Sequence, residues 1–385
     1  MPSLIPEQTA NPGTHVLVIG VSAYRHFEDG EAPTHKGELL EMSQLSAAAR
    51  SASEFSAWML DEYHNERAPL SSLRVLLSPS PGEQINGAIQ ALLNGDFSAT
   101  LANVESQLIE FRAACDSHKE NVAVVYVAGH GVQLTKSGSI VLLHDCGSET
   151  HPTLLRGAIN MAGVHAGFNH PNTAQNQFWF VDACRQEPRI AAGFEQMDGG
   201  LTLDEPGDIA DSTAMFIAAV TGTQAFARIG GMTLFSEALL WGLRGGIAAR
   251  PDDAIADGWH VSVLELLRRL PSRVEALAQA EGAKQTVDAT GRLKDALFHQ
   301  YATTPKVDLH LNVLPPDIAA NCLGSLRHGQ QQSFVLQDVA DWPIEQQVDA
   351  GIYEVRIEVP NAPNPFTDLC SFDPPEARKE YEFQP

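Results

Sequence analysis

The chain has 385 residues, 44% hydrophobic and 19% charged, a globular balance that argues against disorder and leaves room for one large domain plus a smaller one. Its 48 acidic against 25 basic side chains give a formal charge of -23, which repels phosphate backbones and anionic lipid, so no nucleic-acid or membrane partner is expected. Five cysteines, at 115, 146, 184, 322 and 370, form no CxxC pair and are odd in number, which argues against a disulfide framework or a zinc ribbon and fits a reducing compartment. Met1 to Thr14 lacks a basic region followed by an apolar core, and no apolar run approaches the ~18 residues of a membrane span. A soluble, cytoplasmic protein is expected.

His15-Val-Leu-Val-Ile-Gly20 reads as a first buried strand, followed by a loop to about Gly37. Leu45, Ala48, Ala52, Phe55 and Met59 recur at helical spacing, and Leu73 to Leu77 is a second strand. Leu101, Val104, Leu108, Phe111 and Cys115 repeat the helical stripe ahead of a third strand, Val122 to Gly129. Ile140 to Leu143 suggests a small hairpin arm, and Gln175 to Val181 a fourth strand. Residues 187 to 212 are acidic and glycine-rich without periodicity, as in a long loop. Ala214 to Val220 is a further strand. Leu234 to Leu243 and Val263 to Leu277 are helices, the second containing Pro271. From about residue 304 the pattern changes to period two in Val307 to Val313 and Ile352 to Val359, with Phe334 to Val339 weaker. Alternating strands and helices predict an α/β domain over 1–303, with its core at about 14–246 and a helical extension over 247–303, and a small antiparallel β-domain over 304–385.

Two strands end in chemistry. The first apolar run closes in Gly129-His130-Gly131, and about fifty residues later Phe178-Trp-Phe-Val-Asp182 runs into Ala183-Cys184-Arg185-Gln186. In open α/β sheets, chemistry sits beyond the carboxyl ends of such strands. A thiol beside an imidazole is the minimal apparatus for covalent acyl transfer, with Cys184 as nucleophile and His130 as acid/base. The backbone N–H groups of Gly131 and Cys184 are then candidates for the oxyanion hole.

The two motifs, in this order and spacing, resemble those of the caspase and metacaspase-like cysteine peptidases. The resemblance extends in order over about residues 14 to 246, through Val16 to Tyr24, the helix around Phe55 and Trp58, and the segment from Phe216 to the helix at Thr233. It implies the family's three-layer α/β sandwich around a mostly parallel sheet, protein substrates, and an endopeptidase often run as a regulated switch. The alternative is a catalytically silent caspase-fold scaffold that binds through its C-terminal β-domain, which otherwise has no assignable role beyond recruiting an activator or partner.

Strand alternation puts Asp182 on the side opposite Ala183, next to the nucleophile. Caspases that cleave after Asp carry glutamine at this position and an arginine before the first helix. Here Gly37 to Ala49 holds no Lys or Arg but does hold Glu38 and Glu41, so the specificity pocket, Asp182 with Glu38 and Glu41, resembles that of members cleaving after Arg or Lys. A strand-end carboxylate can instead pair with Arg185 or Arg25. Ser51 stands where metacaspase-like sequences often carry a second Asp. Arg189, in the acidic segment, is a candidate self-cleavage site under basic specificity. No cofactor is implied. Calcium activation occurs in some metacaspases, but no Asp-x-Asp-x-Asp-Gly loop supports it here. His144, Asp145, Cys146 and His151 match no closed zinc spacing, so no metal is assigned. His165 and His170 read as surface-loop residues.

Overall fold

A strand such as Val122 to Gly129, apolar on both faces, is stable only within a sheet covered on both sides. A computed structural model describes residues 3–133, 139–183, 210–218, 230–252, 255–329, 334–360 and 362–383, and it contains such a sheet. The elements run β1 (Thr14–Val21), α1 (His35–Glu38), α2 (Ala48–Asp61), β2 (Leu70–Ser78), α3 (Gly87–Leu92), α4 (Leu101–Cys115), β3 (Val122–Gly129), β4 (Gly131–Gln133), β5 (Ser139–Leu142), β6 (Ala158–Asn160), α5 (Met161–Gly167), β7 (Asn176–Ala183) and β8 (Ser212–Ile217). They continue through α6 (Leu234–Trp241), β9 (His260–Ser262), α7 (Val263–Ala280), β10 (Asp288–Thr290) and β11 (Leu297–Gln300). The rest comprises β12 (Lys306–Leu314), α8 (Pro316–Ala319), β13 (Leu323–His328), β14 (Phe334–Val339), β15 (Ile344–Asp349), β16 (Gly351–Glu358), β17 (Phe366–Phe372) and β18 (Glu376–Glu382). The chain divides into two compact units, Met1–Leu240 with Ser262–Gln300, and Trp241–Val261 with Tyr301–Pro385.

In the first unit, six strands lie in the order β10-β8-β7-β3-β1-β2. All pair in parallel except β10, which runs antiparallel to β8. Every residue of β1 and β3 is buried. Alternation sends Leu17, Ile19, Val125, Val127, Trp179 and Val181 into a core shared with Leu101, Val104, Leu108 and Phe111 of α4. Tyr126 and Phe180 face the other way, where Phe55 of α2 stacks on Tyr126 at 4.8 Å and meets Phe180 at 5.9 Å. The sheet is thus the middle of three layers. Gly20 marks the closest approach of α2, since a Cβ there would lie 2.6 Å from that of Ala52. Thr100 starts α4 by accepting the Asn103 amide on its side-chain oxygen at 3.4 Å. A small antiparallel sheet, β4-β5-β6, follows directly after His130.

The short helices are the main departures from the sequence reading. α1 lies within the stretch read as a loop, and α5 carries His165, whose Nε2 donates to the Thr213 carbonyl at 3.0 Å while its ring meets Trp179 edge-on at 5.2 Å. Helices of four to seven residues are too short to display a 3.6-residue period. The helix expected to reach Leu243 ends at Trp241 and passes into a π turn over Gly242–Gly246.

The second unit packs two sheets, β15-β12-β18 and β14-β13-β16-β17, around one core. Val307, Leu309, Leu311 and Val313 of β12 meet Tyr353, Val355 and Ile357 of β16 there, as period-two alternation requires. β12 and β18 pair in parallel, the exception to the expected antiparallel pattern. They are the domain's first and last strands, and the chain between them is long enough for a crossover. No described helix is long and apolar enough to cross a membrane.

Phe55 is fully buried against two strands, so Phe55→Ala should cost about 3–5 kcal/mol by chemical denaturation, whereas truncating exposed Ile109 should change stability by no more than about 0.5 kcal/mol.

Candidate active site

Strands β3 and β7 pair in parallel up to Gly129 opposite Ala183. His130 follows the first of these residues directly. Cys184 follows the second in sequence, but Cys184, Arg185, Arg189 and the acidic segment to residue 209 lie outside the described residues, as do residues 219–229.

His130 is held from several sides. Its amide donates to the Tyr24 hydroxyl at 2.6 Å, and that hydroxyl donates on to the Val21 carbonyl at 3.1 Å. The Tyr24 ring stacks on Phe27 at 4.5 Å and lies 5.0 Å from the imidazole. Glycine at 129 makes room for this phenol, because a Cβ would sit 2.9 Å from its oxygen. The Leu142 amide donates to the His130 carbonyl at 2.9 Å, and Gly131 opens β4 opposite Val141.

The imidazole is 6% exposed, and its Nε2 lies 2.7 Å from the Ser43 carbonyl. A carbonyl can only accept, so Nε2 carries the proton. In the neutral ring Nδ1 is then a bare lone pair, and it is buried with no hydrogen-bond partner among the described residues. Burial lowers the ring's pKa, while the bond to Ser43 and the charge of Asp29 work in the opposite direction. A neutral imidazole with a fixed tautomer and an Nδ1 that has no partner among the described residues has the chemistry to act as a general base.

Asp182, 2% exposed, faces the layer formed by α2 and α6. Its Oδ2 accepts from Tyr126 at 3.0 Å, from Ser236 at 2.9 Å and from Thr233. Its Oδ1 is buried and unpartnered among the described residues. Burial raises the carboxyl pKa, and the three hydroxyls counteract that rise. Among the described residues the partners of Asp182 are therefore hydroxyls, not Arg25, whose side chain is exposed, while Arg185 lies outside those residues. Ser51 belongs to the same group. Its oxygen lies 3.3 Å from that of Thr233 and accepts the Thr233 amide at 3.0 Å. Glu38 and Glu41 are not brought to this group by any bond among the described residues. Both are exposed; Glu38 lies 4.0 Å from His35 Nδ1, and Glu41 adopts a left-handed φ of 51°.

Sequence reasoning missed Tyr24, Ser43, Tyr126, Thr233 and Ser236. Tyr126 did carry a signal, a hydroxyl inside a run that is otherwise apolar. Ser43 carried none, because it acts through its backbone.

The four described cysteines, Cys115, Cys146, Cys322 and Cys370, are free and buried. Burial pushes all four thiols up, Cys146 to about 12, so none is poised as a thiolate. His144 donates from Nδ1 to the Ala23 carbonyl at 2.7 Å, Asp145 lies 3.6 Å from His151, and the Cys146 thiol points to the Leu154 carbonyl. Among the described residues no group of three or more His, Cys, Asp or Glu could hold a metal ion.

A covered parallel sheet, with an oriented neutral imidazole just beyond one strand and a cysteine next in sequence after its neighbour, defines an α/β fold of the cysteine-peptidase type. Residues 15–299 match the caspase domain model of the C14 peptidases, and the chain belongs to that family. No curated protein matches it.

Removing the Tyr24 hydroxyl leaves the buried His130 amide without its acceptor. Tyr24→Phe should therefore lose about 1–3 kcal/mol of stability, read as a lowered denaturation midpoint.

Proposed function

We propose that the protein is a cysteine endopeptidase in which Cys184 is the nucleophile, His130 the acid/base and Asp182 the floor of a pocket for basic side chains. The observation that carries this reading is the setting of His130: oriented by Ser43, with Nδ1 unpartnered among the described residues, at the end of a strand whose parallel neighbour leads to Cys184.

In the proposed reaction the Cys184 thiol gives its proton to His130 Nδ1, and the thiolate attacks the scissile carbonyl carbon. The oxyanion is received by the amides of Gly131 and Cys184. Collapse of the tetrahedral intermediate breaks the C–N bond as His130 protonates the leaving amine, leaving a thioester on Cys184. Water then attacks the thioester while His130 takes its proton, and the C–S bond breaks to release the new carboxylate. Without either Cys184 or His130, hydrolysis should fall by about a thousandfold or more.

Basic specificity rests on Asp182. A buried carboxylate oxygen without a partner among the described residues favours a guanidinium or ammonium that can supply a hydrogen bond. Glu38 and Glu41 add negative charge only if the bound substrate reaches their exposed segment. Peptides ending in Arg or Lys should be hydrolysed faster than those ending in Leu or Asp, and Asp182→Asn should erase most of that preference. Faster turnover of the Asp peptide would sink this assignment.

Self-processing after Arg189 is the regulatory counterpart of the same specificity. Incubated wild type should yield a stable pair of fragments, and both Cys184→Ala and Arg189→Ala should remain intact. A wild type that stays whole under conditions where it hydrolyses peptides would refute it.

The competing reading is a silent scaffold binding through the β-domain, where exposed Ile352 and Leu369 border a cavity of about 730 Å³ also lined by Trp259 and His328. Selective alkylation of Cys184 by a peptidyl electrophile discriminates the two, since an inert thiol would not react in preference to the buried ones. We assign the protein no cofactor and propose a cytoplasmic site of action, which five cysteines without a CxxC pair support.

A further inference from the structure

The Ser43 carbonyl fixes the tautomer of His130, so whatever holds Ser43 in place also governs the base. Ser43 is followed by Gln44, whose side chain is bonded at both ends. Its Oε1 accepts the Tyr24 amide at 2.5 Å, and its Nε2 donates to the Tyr24 carbonyl at 2.9 Å and to Asp29 Oδ1 at 3.0 Å. The other Asp29 oxygen accepts the backbone amide of Gln44 at 3.2 Å. One residue on, the Leu45 amide donates to the Ser22 carbonyl at 2.9 Å. The segment carrying Ser43 is therefore tied to the end of β1 and to the loop that also supplies Tyr24, itself bonded to the His130 amide.

We propose that Gln44 and Asp29 form a clamp of positioning residues that holds the Ser43 carbonyl against His130 Nε2, keeping Nδ1 the proton-accepting nitrogen. Neither touches a reacting atom, and both hold Ser43 in place. The clamp is more than a loop staple because Asp29 also acts on the ring through its charge. It favours the imidazolium that forms when His130 takes a proton, in opposition to burial. Tyr24, Arg25, Glu28 and Glu31 share the loop with Asp29, and the segment after β5 carries His144, already bonded to the Ala23 carbonyl. β7 contributes Asp182, bound by its three hydroxyls, while Cys184 lies outside the described residues. Among these groups Asp29 is the charge that raises the pKa of His130. Both clamp residues line an open cavity of about 540 Å³, so water can reach their bonds and each is of modest strength.

The inference rests on the catalytic reading of His130, and its test separates the two. Full-length protein carrying Cys184→Ala and isotope-labelled histidine gives the tautomer and titration of His130 by NMR, with the signal assigned by its loss in His130→Asn. Asp29→Asn should move the His130 titration to lower pH, because a carboxylate that favours the protonated ring is gone, while Asp29→Glu should restore part of the shift. Gln44→Ala should mix the Nδ1–H tautomer into the neutral ring. In the otherwise wild-type enzyme each change should lower kcat about fivefold, with KM little altered. Unchanged titration and tautomer in both Asp29→Asn and Gln44→Ala would overturn the clamp even if Cys184→Ala and His130→Ala abolish hydrolysis. Undiminished hydrolysis by those last two variants would overturn the catalytic reading instead, and the NMR result would still decide the clamp. If Gln44→Ala does not fold, Asp29→Asn carries the test alone.

Discussion

The Ser43 carbonyl can only accept a hydrogen bond, so the imidazole beside it must keep its proton on Nε2, and the chemistry open to His130 follows from that constraint. A ring free to choose its tautomer would present a donor at Nδ1 for part of the time. Here the second nitrogen is left as a lone pair, buried and without a partner among the described residues. The surroundings are arranged to preserve that state. Burial keeps the ring neutral at rest, the Tyr24 hydroxyl secures its backbone, and Asp29 moderates the penalty of charging it.

The sheet makes this arrangement reproducible. Parallel strands in register bring the ends of β3 and β7 to the same level, and alternation decides what each end presents. Trp179, Val181 and Ala183 enter the core on the α4 side, so Phe180 and Asp182 turn to the α2 and α6 side. A carboxylate in that layer would be costly alone. Tyr126, Thr233 and Ser236 concentrate their hydroxyls on one of its oxygens, while the other has no partner among the described residues, which makes Asp182 a hub of this layer. Ser51 joins this group through Thr233. In this hydroxyl cluster Asp182 is the one carboxylate among the described residues.

Much of this was legible before any coordinates. The continuous apolar runs of β1 and β3 read as buried strands and the stripes of α2 and α4 as amphipathic helices, and Gly-His-Gly with Asp-Ala-Cys at two strand ends marks the candidate site. What escaped did so for physical reasons. α1 and α5 are too short to show a period, so His165 was placed on a loop although it sits on a helix and bonds to the end of a strand. The parallel pairing of β12 with β18 depends on a crossover that strand pattern alone does not encode.

The sequence by itself determined the covered parallel sheet and singled out the candidate site residues, because side-chain type and periodicity are local properties of the chain. Only the tertiary structure decided which nitrogen of His130 and which oxygen of Asp182 lack a partner among the described residues, and which segments hold them so. Those outcomes depend on a backbone carbonyl at Ser43 and on hydroxyls from Tyr126, Thr233 and Ser236, groups far apart in the chain whose meeting is fixed by packing. A backbone carbonyl is the same in every residue, so nothing in the letters could have singled out Ser43.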